Sequence, residues 1–151
     1  MLPIIICRNM TIIEKLIKLE INLFLVIPLV QNISNSLFLS YLINSKGSSI
    51  NKLFSNLILQ QPDYIEAWNK RATIRFMMGQ LDASLEDVFV VLSKEPKHFG
   101  AVSGLAMILM REKNFGGALQ AYRKVLQIHP FSRDALRLIP ILEQRILGER
   151  I

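Results

Sequence analysis

A chain of 151 residues with 51% hydrophobic content has the length of one domain and enough apolar material to fill a core without metals or crosslinks. Its single cysteine, Cys7, can form no internal disulfide, so cysteine usage says nothing about redox compartment. The net charge of +6 would favour nucleic acid or anionic lipid if it were concentrated, but from Lys46 onward 15 basic residues are interrupted by 10 acidic ones.

Residues 1–45 contain no Gly or Ala and are rich in Ile, Leu and Asn with few charges, which sets them apart as a separate apolar segment. Lys15 and Lys18 precede a run of ten residues, Ile21 to Val30, broken only by Asn22 and Pro28. That length suits the apolar core of a signal peptide and falls short of the roughly 18–20 residues of a membrane-spanning helix. A start at Met10 would place a short basic stretch before this core and Ser34 and Ser36 after it. Glu14, Glu20 and the lack of an Ala-x-Ala site argue against that reading. Three expectations stand open: export or membrane tethering through residues 10–43, a hydrophobic helix that caps the rest, or a segment without fixed structure. Localisation, exported or tethered on the one hand and cytoplasmic on the other, follows that choice.

Residues 46–151 are predicted helical. Ser48 or Ser49 serves as an N-cap, after which Ile50, Leu53, Phe54, Leu57 and Ile58 recur at spacings of three and four on one helix face. Pro62 stops that helix. Asp63 and Glu66 form a candidate capping box for the next one, which runs through Trp68, Ala72 and Phe76 to a turn at Gly79. Another begins near Asp82, carries Leu85, Val88, Val91 and Leu92, and ends before Pro96. Phe99 to Arg111 is then a helix, Asn114 to Gly117 a turn, and Ala118, Leu119, Tyr122, Val125 and Leu126 the buried stripe of a further helix. Ser132 caps a last helix that ends near Gly148, with a kink or break expected at Pro140, which removes the bond to the carbonyl of Leu136.

A period underlies these elements. Pro62, Pro96 and Pro130 recur every 34 residues, and Ala67, Ala101 and Ala135 keep the same interval. Self-similarity at this spacing marks a helical solenoid, an architecture that presents a surface to another chain.

The residues between the prolines resemble those of the tetratricopeptide repeat (TPR) family. Counted from Ile65 and Phe99, the family's large residue is Trp68 and Val102, its small residue at the helix crossing is Ala72 and Ala106, and its turn glycine is Gly79, where the second unit has Lys113. Leu81 and Phe115 follow the turn, Ser84 and Ala118 open the second helix, Val88 and Tyr122 fill it, and Pro96 and Pro130 close the units. The resemblance implies an all-α solenoid of helical hairpins, a short right-handed superhelix. It comprises a partial unit at 48–64, units 65–98 and 99–132, and a capping helix at 133–147. Upstream, Phe38 stands at the place of Ala72 and Ala106 and is too large for a close crossing, which leaves a complete unit over residues 31–62 open. Arg71 occupies a place where the family carries Leu or Arg, and the partner place sixteen residues on is Asp87; in the next unit the two read Leu105 and Ala121. Arg71 and Asp87 are therefore expected to form a partly buried structural ion pair.

The family binds partner polypeptides along the face made by the first helix of each unit. Here that face is implied to carry Glu66, Asn69, Thr73, Phe76 and Met77, then Gly100, Ser103, Met107, Met110 and Arg111, then Asp134, Arg137 and Ile141. Methionine suits a groove for an apolar or amphipathic segment, although Phe76, Met77, Met107 and Met110 could equally pack under an upstream helix. Gly100 and Gly104 leave backbone bare, for close helix packing or for a ligand chain. The places where some family members clamp a chaperone's terminal carboxylate read Glu66 with Lys70, Gly100 with Gly104 and Asp134 with Leu138, which makes no clamp. Catalysis is not expected: His98 and His129 lie beside unit-closing prolines as helix caps, and no metal-ligand spacing, glycine-rich phosphate loop or nucleophile triad is present. No cofactor is expected, and nucleic acid is disfavoured because Lys70, Arg75, Lys94, Lys97, Arg111, Lys113, Arg123 and Lys124 are spread over helices and turns.

Overall fold

A computed structural model describes residues 36–148, with side chains from residue 47. The apolar run at 21–30 and most of the 1–45 segment lie outside the described residues. The chain divides into two compact units, Met1–Leu53 and Phe54–Ile151. All elements among the described residues are helices: α1 (Ser36–Gln60), α2 (Ile65–Met77), α3 (Leu81–Lys94), α4 (Phe99–Arg111), α5 (Phe115–Ile128) and α6 (Arg133–Gly148). None of them is long and apolar enough to cross a membrane.

Within Phe54–Ile151 the proline period appears as one repeated joint. α1, α3 and α5 each end two residues before a proline, because the residue preceding proline is pushed out of the helical region. Glu95 (φ −129°, ψ 86°) and His129 (φ −135°, ψ 92°) are extended accordingly. Each joint then closes on the same turn, with backbone bonds from Tyr64 to Gln61, His98 to Glu95 and Ser132 to His129 at 3.0–3.1 Å. Proline at the second place of such a turn needs no further constraint on its φ.

Inside each hairpin the chain reverses through a left-handed residue. Gly79 (φ 78°) and Lys113 (φ 60°) hold equivalent places. Gln80 N–H donates back to the Arg75 carbonyl and Asn114 N–H to the Leu109 carbonyl, each at 2.9 Å, the bond that closes a helix C-terminus on a left-handed residue. Lysine pays a steric cost there that glycine does not. Lys113→Gly is therefore expected to raise stability by roughly 0.5–1 kcal/mol, read as a higher urea midpoint.

α2 packs against α3, and α4 against α5. The crossings are close because the facing residues are small. Ala72, Ser84, Ala106 and Ala118 are at most 3% exposed, and Ser84 Oγ donates to the Ala72 carbonyl at 2.7 Å. One buried cluster joins α2, α3 and α4 through Ala72, Val88, Val91, Ala101 and Ile108. A second joins α4, α5 and α6 through Val102, Ala106, Tyr122, Val125, Ala135 and Leu142. Each cluster thus needs one hairpin and the first helix of the next unit. Burial pushes the Tyr122 phenol above its ordinary value, and the neighbouring Asp134 carboxylate adds to the effect.

Four local expectations are corrected. α1 runs unbroken through Ser48 and Ser49, since a cap residue favours a helix start without enforcing one and Gly47 costs a helix interior only about 1 kcal/mol. Asp63 is not a cap: α2 starts after Tyr64 without a side-chain cap, and Asp63 instead pairs with Lys94 at 2.6 Å. The hydrogen bond from Lys94, then its charge, holds the exposed Asp63 carboxyl below its usual value. The turn expected at Asn114 to Gly117 is shorter, because Asn114 is itself an N-cap whose Oδ1 accepts from Gly117 N–H at 2.9 Å, so α5 begins at Phe115. α6 continues through Pro140. Pro140 and Leu136 are both exposed, so water can serve the carbonyl that loses its donor.

Candidate functional site

The first helices of the units, α2, α4 and α6, carry the residues implied to meet a partner. Where these side chains sit follows from helix spacing. Residues three and four apart share a face, so Asn69, Thr73 and Phe76 line one side of α2, and Ser103, Met107 and Met110 the equivalent side of α4.

The structure brings the α2 and α4 sets together at two points. A Cβ on Gly100 would lie 2.9 Å from Asn69 Nδ2, so Asn69 rests directly on the α4 backbone. Gly104 faces Val88, with a Cβ at 3.7 Å. The two glycines therefore serve helix packing, and the backbone at Gly100 is covered by Asn69. At the other end the Arg111 guanidinium lies over the Phe76 ring, 5.1 Å from its centroid.

Much of the polar content is engaged within the chain. Asn69 donates to Glu66 at 3.3 Å, Glu66 pairs with Lys70 at 3.2 Å, and Thr73 Oγ1 donates to the Asn69 carbonyl at 3.0 Å. Arg137 pairs with Asp134 one turn away at 3.1 Å. Phe76 and Met110 are half-buried and pack on the two cores, and Met77 and Ser103 are half-buried too. Thr73, Arg111 and Arg137 are exposed, as are Met107 at 45% and Ile141 at 53%. The surface offered is an apolar strip around Met107 edged by arginine.

Behind that strip lies a charged cluster that sets the position of α2. Arg71 binds Asp87 through two nitrogens at 2.9 and 2.6 Å, and a third donates to Ser55 Oγ of α1 at 3.1 Å. Its guanidinium also lies over Trp68, 4.9 Å from the ring centroid, while Trp68 Nε1 donates to the Pro62 carbonyl at 3.0 Å. Arg75 completes the cluster at 2.9 Å from the second Asp87 oxygen and donates to the Ala83 carbonyl at 3.0 Å. Together with the Lys70–Glu66 pair, this accounts for the three cations closest in sequence by internal contacts.

Sequence reasoning missed the part of Arg75, although its place one turn after Arg71 was a usable signal. It expected His98 to cap a helix end, as it does, but missed the contact His98 makes with Glu66 of the preceding unit. There Nδ1 accepts from Ala101 N–H at 3.1 Å, as the N-cap of α4, while Nε2 lies 3.3 Å from Glu66 of α2. With the backbone bond taken by Nδ1, the hydrogen-bond pattern places the ring proton on Nε2, facing the carboxylate. The His129 ring packs at a tilt of 49° against Phe99, with centroids 5.4 Å apart. Among the described residues no group of three or more His, Cys, Asp or Glu is placed to hold a metal ion.

No protein-family model matches the chain. A TPR repeat-containing protein of Rhizobium etli is 42% identical over 93 residues, 62% of this chain, and the match spans about half of that relative, 46% of its length. Among solved structures, the first TPR of Spaghetti (RPAP3) bound to the HSP90 peptide SRMEEVD is similar with a TM-score of 0.65 and 16% identity, over 74% of this chain and 92% of that one. The TPR domain of Sgt2 from Aspergillus fumigatus is similar with a TM-score of 0.63 and 20% identity, over 74% and 79%. At these identities the structural likeness shows the fold.

Proposed function

We propose that the chain, which has the tetratricopeptide-repeat fold and is similar to a TPR repeat-containing protein, is a scaffold for protein–protein interaction whose α2, α4 and α6 face holds a segment of a partner polypeptide. The observation that carries this reading is Met107, 45% exposed on the first helix of a complete unit and flanked by Met110 and Arg111. An adaptable thioether on a rigid helix, beside an ordered cation, is the combination that accepts an apolar or amphipathic segment. That one structural neighbour holds an HSP90 peptide supports a polypeptide as ligand class. The proposal does not extend to a clamp on a terminal carboxylate, because the places that form one in some family members carry Glu66 with Lys70, Gly100 with Gly104 and Asp134 with Leu138 here.

A photo-reactive benzoylphenylalanine placed at 107 tests the face directly, with the same group at the exposed Gln120 of α5 as control. In cells expressing the full chain, position 107 is expected to give discrete polypeptide adducts and position 120 none. Adducts at 120 alone would move the site to the opposite helices.

A further inference from the structure

Among the described residues the groove holds a cation without a counter-charge. Among the described residues Arg71 and Arg75 share Asp87, Arg123 meets Glu143, and Arg137 meets Asp134, whereas no carboxylate lies within ion-pair distance of Arg111. Its contact is with the Phe76 ring below it. Stacking of this kind uses the flat face of a guanidinium and leaves its edge donors available. Arg111 is therefore oriented by Phe76 and, among the described residues, not neutralised. The carboxylates of α2 and of the start of α6 are engaged elsewhere, since Glu66 is held by Lys70 and contacts His98, and Asp134 is held by Arg137. The exposed carboxylate next to Arg111 in the chain is Glu112, the C-cap of α4, which makes no ion pair with it. One turn before Arg111 on the same face is Met107, and Met110 adjoins it.

We propose that the segment docking here belongs to another protein and carries an acidic side chain set among apolar residues, with its carboxylate on the Arg111 edge and its apolar side chains on Met107 and Met110. This rests on the groove reading above. One guanidinium satisfies both oxygens of a carboxylate in a fork, and a side-chain carboxylate, unlike a chain terminus, leaves apolar residues on both sides of it to reach Met107 and Met110. Such a segment also fits better than a nucleic acid, because the neighbours of Arg111 on this face are methionines, not the row of cations that successive phosphates require.

Two synthetic peptide pools test it. Both randomise Leu, Ile, Met and Phe around one central place, which is Glu in the first pool and Gln in the second. Passed over the immobilised full chain, the Glu pool is expected to be retained about tenfold more strongly than the Gln pool. In R111Q, chosen because Arg111 is exposed and outside both cores, that preference should vanish while the Gln pool binds as before. Equal retention of the two pools overturns the acidic partner and leaves the groove standing, whereas retention of neither sinks the groove as well. A Glu preference that survives in R111Q puts the acid elsewhere and also overturns the proposal. So does a single-stranded oligonucleotide that binds through Arg111 and displaces the Glu pool.

Discussion

Replacing Asp87 with alanine is expected to lower the unfolding free energy by about 3–5 kcal/mol, the range found when one side of a buried ion pair is removed. The Asp87 side chain is 2% exposed, and those of Arg71 and Arg75 are 11% and 17%. Both guanidiniums would be left near each other with too little water to take over from the carboxylate. For a domain whose total stability is of order 5–15 kcal/mol, this is a large share, and urea unfolding followed by circular dichroism would show it as a fall in midpoint at an unchanged slope. The equivalent places in the second unit read Leu105 and Ala121, which shows how the same crossing is built without charge. Copying them, Arg71→Leu with Asp87→Ala, should recover part of the loss, with Arg75 and the bond from Arg71 to Ser55 accounting for the remainder. An Asp87→Ala variant that unfolds at the parental midpoint would mean that the cluster does not hold α2 in place.

The repeat frame was legible because it rests on rules with short reach. Proline excludes its predecessor from a helix whatever surrounds it, so Pro62, Pro96 and Pro130 read directly as unit ends, and small residues at Ala72, Ala106 and Ala118 read as crossings. The Arg71–Asp87 contact was legible for the same reason, since a fixed period turns sequence distance into spatial distance. What was misread depended on competition between local options. Asp63 has the pattern of a cap, yet Lys94, 31 residues away, offers it a partner that no local pattern contains. Ser48 and Ser49 look like a helix start, but nothing upstream removes a backbone donor, and the helix continues. Gly100 is ambiguous in sequence, because bare backbone suits both a ligand and a neighbouring helix. Only the position of Asn69 decides between them.

The face itself was outlined by the frame, but its chemistry was not. Phe76 and Met110 belong partly to the cores and Asn69 to the packing of α2 on α4, which leaves Met107 as the exposed apolar centre and Arg111 as its charged edge. Met107→Glu is therefore the change aimed most directly at function. Glutamate is as good a helix former as methionine and 45% exposure gives its charge access to water, so the melting temperature should stay within the range of ordinary surface substitutions. A docked apolar segment would instead have to bury that charge, which is costly when unpaired, and binding should weaken by at least about tenfold.

The comparison that decides is a crosslinked pulldown of the parent, Met107→Glu, and Gln120→Glu on the opposite helices, all expressed in the same cells at equal levels. The polypeptides captured by the parent should be missing from Met107→Glu and retained by Gln120→Glu, with the three melting temperatures alike. The same partner set on Met107→Glu as on the parent would contradict a binding face on the first helices of the repeats.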